Sequence, residues 1–536
     1  MIWLLGDFDF LSVVLRALTL GLELLTLGAI AYLLVVAMPA RAGDSVIAGC
    51  WRGIRWSATI FAIVELCYVA VDSALLMGSS SLGFADVVGA RYFVAGMSAT
   101  IAAVAIVFCT RSGTRRSAYA LVPWAALVLL AVVSTSHSVS RMDHRFVLMA
   151  LTAAHQLGAA LWIGSMPFLL ISLRRSEDPA EAKRLLLRFS PLALVGAGTL
   201  LLGGAGMGWL YLGVSADRSL SSVYGTAYGV MMISKMYLFL LVVAMGAGNF
   251  FLVRRIETAP VSLLTRLRRF GEAEIGLGFM AVLAAASMTS QPPAIDLPAD
   301  RASLTEIVER FHPEVPRMTS PAFAALAPTT SLDVLVKQTE FNLPGTPIDS
   351  NGKAWSEYNH HWSGLIVLAA GVLALVSRLP NARWARNWPL VFAGLAVFIV
   401  LRGDPESWPL GPRPFWASMV VPDILQHRFY ALLILAFAVF EWGNQTSRWH
   451  SRWVFPLLCA AGGALLLTHN HSVGNIKEEL LAEMSHTPIA LLGATAGWSR
   501  WLELRLPDQK ESRLASYVWP VCLMLVGLVL LNYRES

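Results

Sequence analysis

Long apolar runs alternate with short polar stretches along almost the whole chain. The runs are roughly 17 residues or longer, enough for a helix to cross about 30 Å of hydrocarbon. Eight such spans are predicted in the first half, near residues 10–37, 57–77, 92–109, 117–135, 146–173, 190–214, 228–252 and 273–289. Six follow, near 360–377, 388–401, 424–442, 453–468, 487–503 and 517–532, the second and fifth of these being short. The pattern predicts an all-α polytopic integral membrane protein with about 14 transmembrane helices in two bundles, eight and six. A transmembrane barrel is excluded, because its strands would alternate apolar and polar positions over about ten residues.

Composition supports this class: 56% of the 536 residues are hydrophobic and 14% are charged, against about 25% charged in soluble chains. The net charge of +6 is not a nucleic-acid signature, since the excess lies in short loops. Arg41, Arg52 and Arg55 follow the first span, Arg111, Arg115 and Arg116 the third, and Arg174, Arg175, Lys183, Arg184 and Arg188 the fifth. Arg254, Arg255, Arg266, Arg268 and Arg269 follow the seventh, and Arg378, Arg383 and Arg386 the ninth. Positive charge marks cytoplasmic loops, so odd-numbered loops are expected inside and the N-terminus outside. Asp7 and Asp9 replace the basic region of a cleavable leader, so the first span is expected to stay. Three regions are expected: an eight-helix module over 1–289, a proline-rich outer linker or cap over 290–358, and a second membrane module over 359–536. The five cysteines are scattered and form neither a disulfide framework nor a thiolate metal site.

This topology sorts the histidines. Ten of the 11 fall on or near the predicted outer side, His450 being the exception. His137 and His144 follow span 4, His155 lies roughly 14 Å down span 5, and His312 lies in the linker. His360 and His361 open span 9, His427 opens span 11, His469 and His471 close span 12, and His486 opens span 13. Imidazole is a common neutral ligand for copper, zinc, iron and nickel. In "THNH" the i, i+2 spacing brings two rings together on an extended segment. Adjacent His360 and His361 cannot face one site, so one is expected to be a ligand and the other interfacial. A lone histidine at a helix end is more often an interfacial polar group, but six in four segments at one depth favour a metal or haem site. Met232 and Met236 share a helix face at i, i+4, and thioethers suit Cu(I); core filling is the blander alternative. Glu23, Glu65, Asp72 and Lys235 are intramembrane ionisable groups and hence functional candidates, with Asp72 and Lys235 also a candidate structural pair.

No Walker loop, H-E-x-x-H or C-x-x-C-H motif occurs, so direct ATP-driven transport and covalent haem attachment find no support. The stretch "HQLGAALWIGSMPFLL" (His155–Leu170) resembles the copper resistance D (CopD) family of bacterial inner-membrane proteins. So do "RFSPLALVGAGTLLLGGAGMG" (Arg188–Gly208), "YGTAYGVMMISKMYLFLLVVAMGAGNFFLVRR" (Tyr224–Arg255) and "EIGLGFMAVLAAASMTSQPPA" (Glu274–Ala294). The resemblance implies an eight-span module that handles copper at the periplasmic face, importing it with a periplasmic carrier of the CopC type, with His155 the position carried over. The second module lies outside the resemblance. A copper transporter or copper-delivery protein, rather than an enzyme, is therefore expected. The alternatives are a redox protein holding b-type haem through second-module histidines, and an assembly factor that hands copper to a partner.

Overall fold

The computed structural model describes residues 8–80, 83–176, 178–213, 220–254, 261–289, 291–322, 326, 350–419, 421–467, 476–506 and 509–535. Its long elements are all helices. They are α1 (Phe8–Ala31), α2 (Asp44–Ser80), α3 (Arg91–Cys109), α4 (Arg115–Ser134) and α5 (Arg145–Ala159). These are followed by α6 (Pro179–Leu212), α7 (Ala227–Arg254), α8 (Val261–Thr289), α9 (Ser350–Val376) and α10 (Leu390–Arg402). The last four are α11 (Pro422–Gln445), α12 (Val454–Leu466), α13 (Ile476–Arg505) and α14 (Lys510–Leu531). Among the described residues, 12 helical segments are long and apolar enough to cross a membrane. The protein is a multi-pass α-helical membrane protein.

Several helices start well before the apolar runs do. Helices α2, α6, α8 and α9 begin at Asp44, Pro179, Val261 and Ser350, ten or more residues earlier than hydropathy predicts. At 1.5 Å per residue the 34 residues of α6 reach about 50 Å, well beyond a hydrocarbon slab. Hydropathy sees only the part in the slab. For the same reason the thirteenth span is not short: α13 runs 30 residues, and its first turns carry Lys477, Glu478, Glu479 and Glu483. The short apolar helices are α10, which follows a 3-10 turn at Arg383–Asn387, and α12, each with 13 residues.

The chain divides into two compact units, one of Met1–Ser219 with Lys235–Asp296, the other of Leu220–Ser234 with Leu297–Ser536. In the first, α1 packs against α2, α4 and α8, while α3 lies between α2 and α4, and α5 pairs with α6. Helix α5 passes through a π-helical turn, Ala160–Gly164, into a second helical stretch, Met166–Arg175. That turn lies directly on α1: a Cβ on Gly164 would stand 2.0 Å from the Leu24 carbonyl oxygen. With Gly28 on α1 and Gly164 on the turn, the two backbones pack closely, as small residues allow within a membrane.

In the second unit α14 packs on α9 and α13, α13 on α12, and α10 on α11. Its core is aromatic. Trp388 and Trp519 are 5.3 Å apart between ring centroids, and Phe437 lies 4.9 Å from Phe392 and 4.7 Å from Phe455. Over one end of this bundle lie residues 297–322 with the C-terminal residues. Arg310 donates to the carbonyls of Arg534 and Glu535, and Arg534 pairs with Glu314 at 2.9 Å. Asn532 donates to the Phe311 carbonyl at 3.1 Å, and Arg317 pairs with Glu357 at 3.1 Å.

Candidate functional site

In the first unit the candidate centre is His155, on α5 where it crosses α6. A Cβ on Gly158 would stand 2.4 Å from the Leu200 amide nitrogen, and one on Gly203 would stand 2.8 Å from the Leu151 carbonyl oxygen. One on Gly204 would meet His155 Nδ1 and Cε1 at 3.0 Å. Glycines thus bring the two backbones together and leave a slot for the imidazole. Within it Nδ1 makes a 2.8 Å hydrogen bond to the Leu200 carbonyl. A carbonyl accepts only, so Nδ1 carries the proton and Nε2 the lone pair, the tautomer that ligates a metal through Nε2. One face higher, Thr152 donates to Met207 Sδ at 3.1 Å and lies 2.5 Å from Ser138, which in turn lies 2.9 Å from the Tyr211 hydroxyl.

His137 sits in a short helix, His137–Ser140, with Nε2 2.9 Å from the Thr289 carbonyl. It lines a cavity of about 250 Å³ with Ser140, Arg141, Met142, Asp143, Pro293 and Asp296, closed on one side by the Arg141–Asp296 ion pair at 3.0 Å. His144 caps α5 in a left-handed backbone conformation, φ 55°. Met236 is 59% exposed on the first unit's surface, and Met232 falls in the second unit's segment of the chain.

The candidate pair Asp72–Lys235 does not form. Asp72 hydrogen-bonds Tyr68 and feels the charge of Arg16, whereas Lys235 acts electrostatically on His155. Lys235 on α7 lies in electrostatic range of the α5 imidazole, while Asp72 on α2 lies in range of Arg16 on α1. Arg16 is the shared partner of the acids there. It lies 5.9 Å from the Tyr68 ring and in electrostatic range of Glu23, Glu65 and Asp72. Glu23 is fully buried, and neither of its oxygens has a hydrogen-bond partner among the described residues. Gly96 makes room for Glu65, whose Oε1 would stand 3.2 Å from a Cβ there.

A polar node that sequence reasoning missed lies behind the π-helical turn. Glu274 on α8 is 1% exposed and accepts from the Asn249 side-chain amide and from Trp162. Hydropathy places Glu274 at the head of span 8, where a carboxylate is unremarked. Since α8 begins at Val261, the residue sits near mid-helix. The sequence signal was present: Trp162, Asn249 and Glu274 each belong to a different one of the four family-like stretches.

In the second unit one end of the bundle gathers His360, His361, His427 and His486. His360 and His486 have ring centroids 6.1 Å apart in an edge-to-face arrangement, and Tyr533 stacks on His360 at 3.7 Å and lies 5.7 Å from His486. Nδ1 of His360 donates to the Ser356 carbonyl at 2.8 Å, leaving the lone pair on Nε2. His427 lies close enough to influence the charge of His360, and its own Nδ1 is held by Asp404 at 2.7 Å. Such a carboxylate partner orients an imidazole for ligation through Nε2. Burial and the nearby Glu535 push the Tyr533 phenol well above its ordinary range, so it stays neutral beside these rings.

His361 differs. It is 6% exposed, with Nδ1 accepting the Arg317 amide N–H at 2.7 Å and Nε2 donating to the Tyr533 carbonyl at 2.9 Å. Both ring nitrogens are used, which leaves neither for a ligand. His361 is a buried clamp between the 297–322 segment and the C-terminal residues. His469 and His471 lie outside the described residues. Among the described residues no three His, Cys, Asp or Glu side chains are grouped closely enough to hold a metal ion together.

Fold and site together define a multi-pass helical membrane protein with oriented imidazoles at helix crossings and helix ends. Residues 183–288 match the family model for copper resistance protein D. A curated relative, the copper transport protein CutJ of Bacillus subtilis (strain 168), is 30% identical over 168 residues. That match covers 31% of this chain and 29% of the relative, so it spans less than a third of the relative's length. No solved structure matches.

Proposed function

We propose that the protein handles copper at a bacterial inner membrane, taking the ion from the periplasmic side and passing it through the first unit. The supporting observation is that the family-matched segment, 183–288, supplies the surroundings of His155: Leu200, Gly203, Gly204 and Lys235. A cargo ion needs ligands that release it, and a lone imidazole with a nearby thioether, Met207, suits transit better than a closed four-ligand cage. His360 and His486 act in this proposal as a shallow two-imidazole capture site in the second unit, with His427 beside them, and His137 and Met142 as separate accessory groups in the first unit. A soluble carrier of the CopC type is the proposed donor. The haem alternative gains nothing from the geometry, because a macrocycle ligated by both His360 and His486 would have to displace Tyr533.

The test is copper accumulation by intact cells expressing the full chain, read by elemental analysis, with surface expression measured in parallel. His155→Ala should abolish the copper gained over cells lacking the protein. Purified protein carrying His360→Ala with His486→Ala should lose copper occupancy. Parental accumulation by His155→Ala at normal expression would refute the proposed route.

A further inference from the structure

At the opposite end of the second unit from the histidines lies a cavity of about 550 Å³ that the copper proposal does not use. Arg378, Arg386, Arg452, Arg500 and His450 line it, with Glu503 the one carboxylate in its wall. The charges are not equivalent. Arg500, 7% exposed, is fixed by Glu441 and Glu503, each at 2.7 Å, and its guanidinium lies 5.1 Å from the Trp519 ring centroid. Arg378 pairs with the same Glu503 at 2.7 Å. The Trp519 indole also donates to Glu503 at 2.6 Å, which completes a rigid floor. Arg386 and Arg452 make no ion pair among the described residues and are exposed at the rim. The floor therefore consumes the acids, and the rim presents two uncompensated guanidiniums.

The loop carrying Arg452 is itself held in place. Asn444 accepts from the Ser451 amide at 2.7 Å and donates to the Ser451 carbonyl at 2.6 Å. Within two residues of these lining residues in sequence are Trp384, 64% exposed, Trp453, 58% exposed, and Trp449, whose indole donates to the Phe440 carbonyl at 2.9 Å. Exposed indoles at the ends of apolar helices sit at the headgroup level of a bilayer. A cavity of this size falls in the range of small-molecule sites. Planar guanidiniums favour phosphate oxygens through paired hydrogen bonds, and basic pockets between transmembrane helices suit phosphate-bearing headgroups.

We propose that this cavity is a binding site for a phosphate-bearing anion, held by Arg386 and Arg452 over the Arg378–Glu503–Arg500 floor. Two sources share that chemistry, the phosphodiester of an anionic lipid and free phosphate. The experiment uses the full chain in a neutral detergent, and compares melting temperatures with added dioleoylphosphatidylglycerol, dioleoylphosphatidylcholine or inorganic phosphate. The paired variant Arg386→Gln/Arg452→Gln removes the rim charges, and Arg111→Gln/Arg115→Gln removes the same charge from exposed loop positions elsewhere. Both variants should melt like the parent without additive. If the lipid is the source, phosphatidylglycerol raises the parental melting temperature by several degrees and phosphatidylcholine does not. If free phosphate is the source, phosphate alone gives the rise. In either case the rise is lost in the rim variant and kept in the control. An equal rise in parent and rim variant, an equal loss in both variants, or no rise with any additive would overturn the proposal.

Discussion

The seat of His155 depends on α5 and α6 approaching so closely that a single methyl group is too much. In Gly158→Ala the new Cβ would stand 2.4 Å from the Leu200 nitrogen and 2.7 Å from the Gly196 carbonyl oxygen. Ordinary contact is about 3.5 Å, so the helices must part by roughly 1 Å, and neither obstructing atom can rotate away because both are backbone. Overpacking of this kind costs about 1–3 kcal/mol. The shift also moves the Leu200 carbonyl away from His155 Nδ1, and a lost hydrogen bond adds about 0.5–1.5 kcal/mol. At about 2–4 °C per kcal/mol for a large domain, the melting temperature should fall by roughly 5–15 °C. The control is Gly198→Ala on α6, where a Cβ would meet nothing within 4 Å. Thermal unfolding of the two variants in one detergent, with copper accumulation measured in cells, separates the effects. If Gly158→Ala melts with Gly198→Ala, the close crossing is not what holds His155 in place.

Two further outcomes are expected. Cysteines introduced at Val315, which is 93% exposed, and at Ser112 should label oppositely in intact spheroplasts with an impermeant thiol reagent. Val315→Cys should react above the parental background and Ser112→Cys only after lysis; the reverse pattern would overturn the positive-inside assignment and the periplasmic capture built on it. His361→Ala leaves the Arg317 N–H and the Tyr533 carbonyl without their partner, at about 1–3 kcal/mol for each buried group left unmade. It should lower the melting temperature while copper occupancy persists. Lost occupancy at an unchanged melting temperature would show that His361 is a ligand after all.

The apolar pattern revealed the helices because a bilayer forces each spanning segment to satisfy its own backbone hydrogen bonds. It misjudged their ends wherever a helix runs on into water, as at Asp44, Pro179, Val261 and Ser350. The histidines were visible as a group, but their roles depend on the partner of each nitrogen. His360 and His361 are neighbours in sequence, yet one is bonded to its own helix through Nδ1 and the other is clamped through both nitrogens. No spacing rule separates them. Glu274 escaped for a related reason: its burial arises from Trp162 and Asn249, which come from distant segments.

The clamp at His361 also bears on how the protein is made. Its Nε2 bonds to a carbonyl 172 residues further along the chain, and Tyr533, which owns that carbonyl, also covers the ring of His360. A ribosome threading this chain into a membrane therefore releases α9 to α13 before the covering ring exists. Closing so long a loop is slow compared with helix formation. During synthesis the imidazoles of α9 lie uncovered, and the finished surroundings of His360 assemble only once residue 533 has emerged.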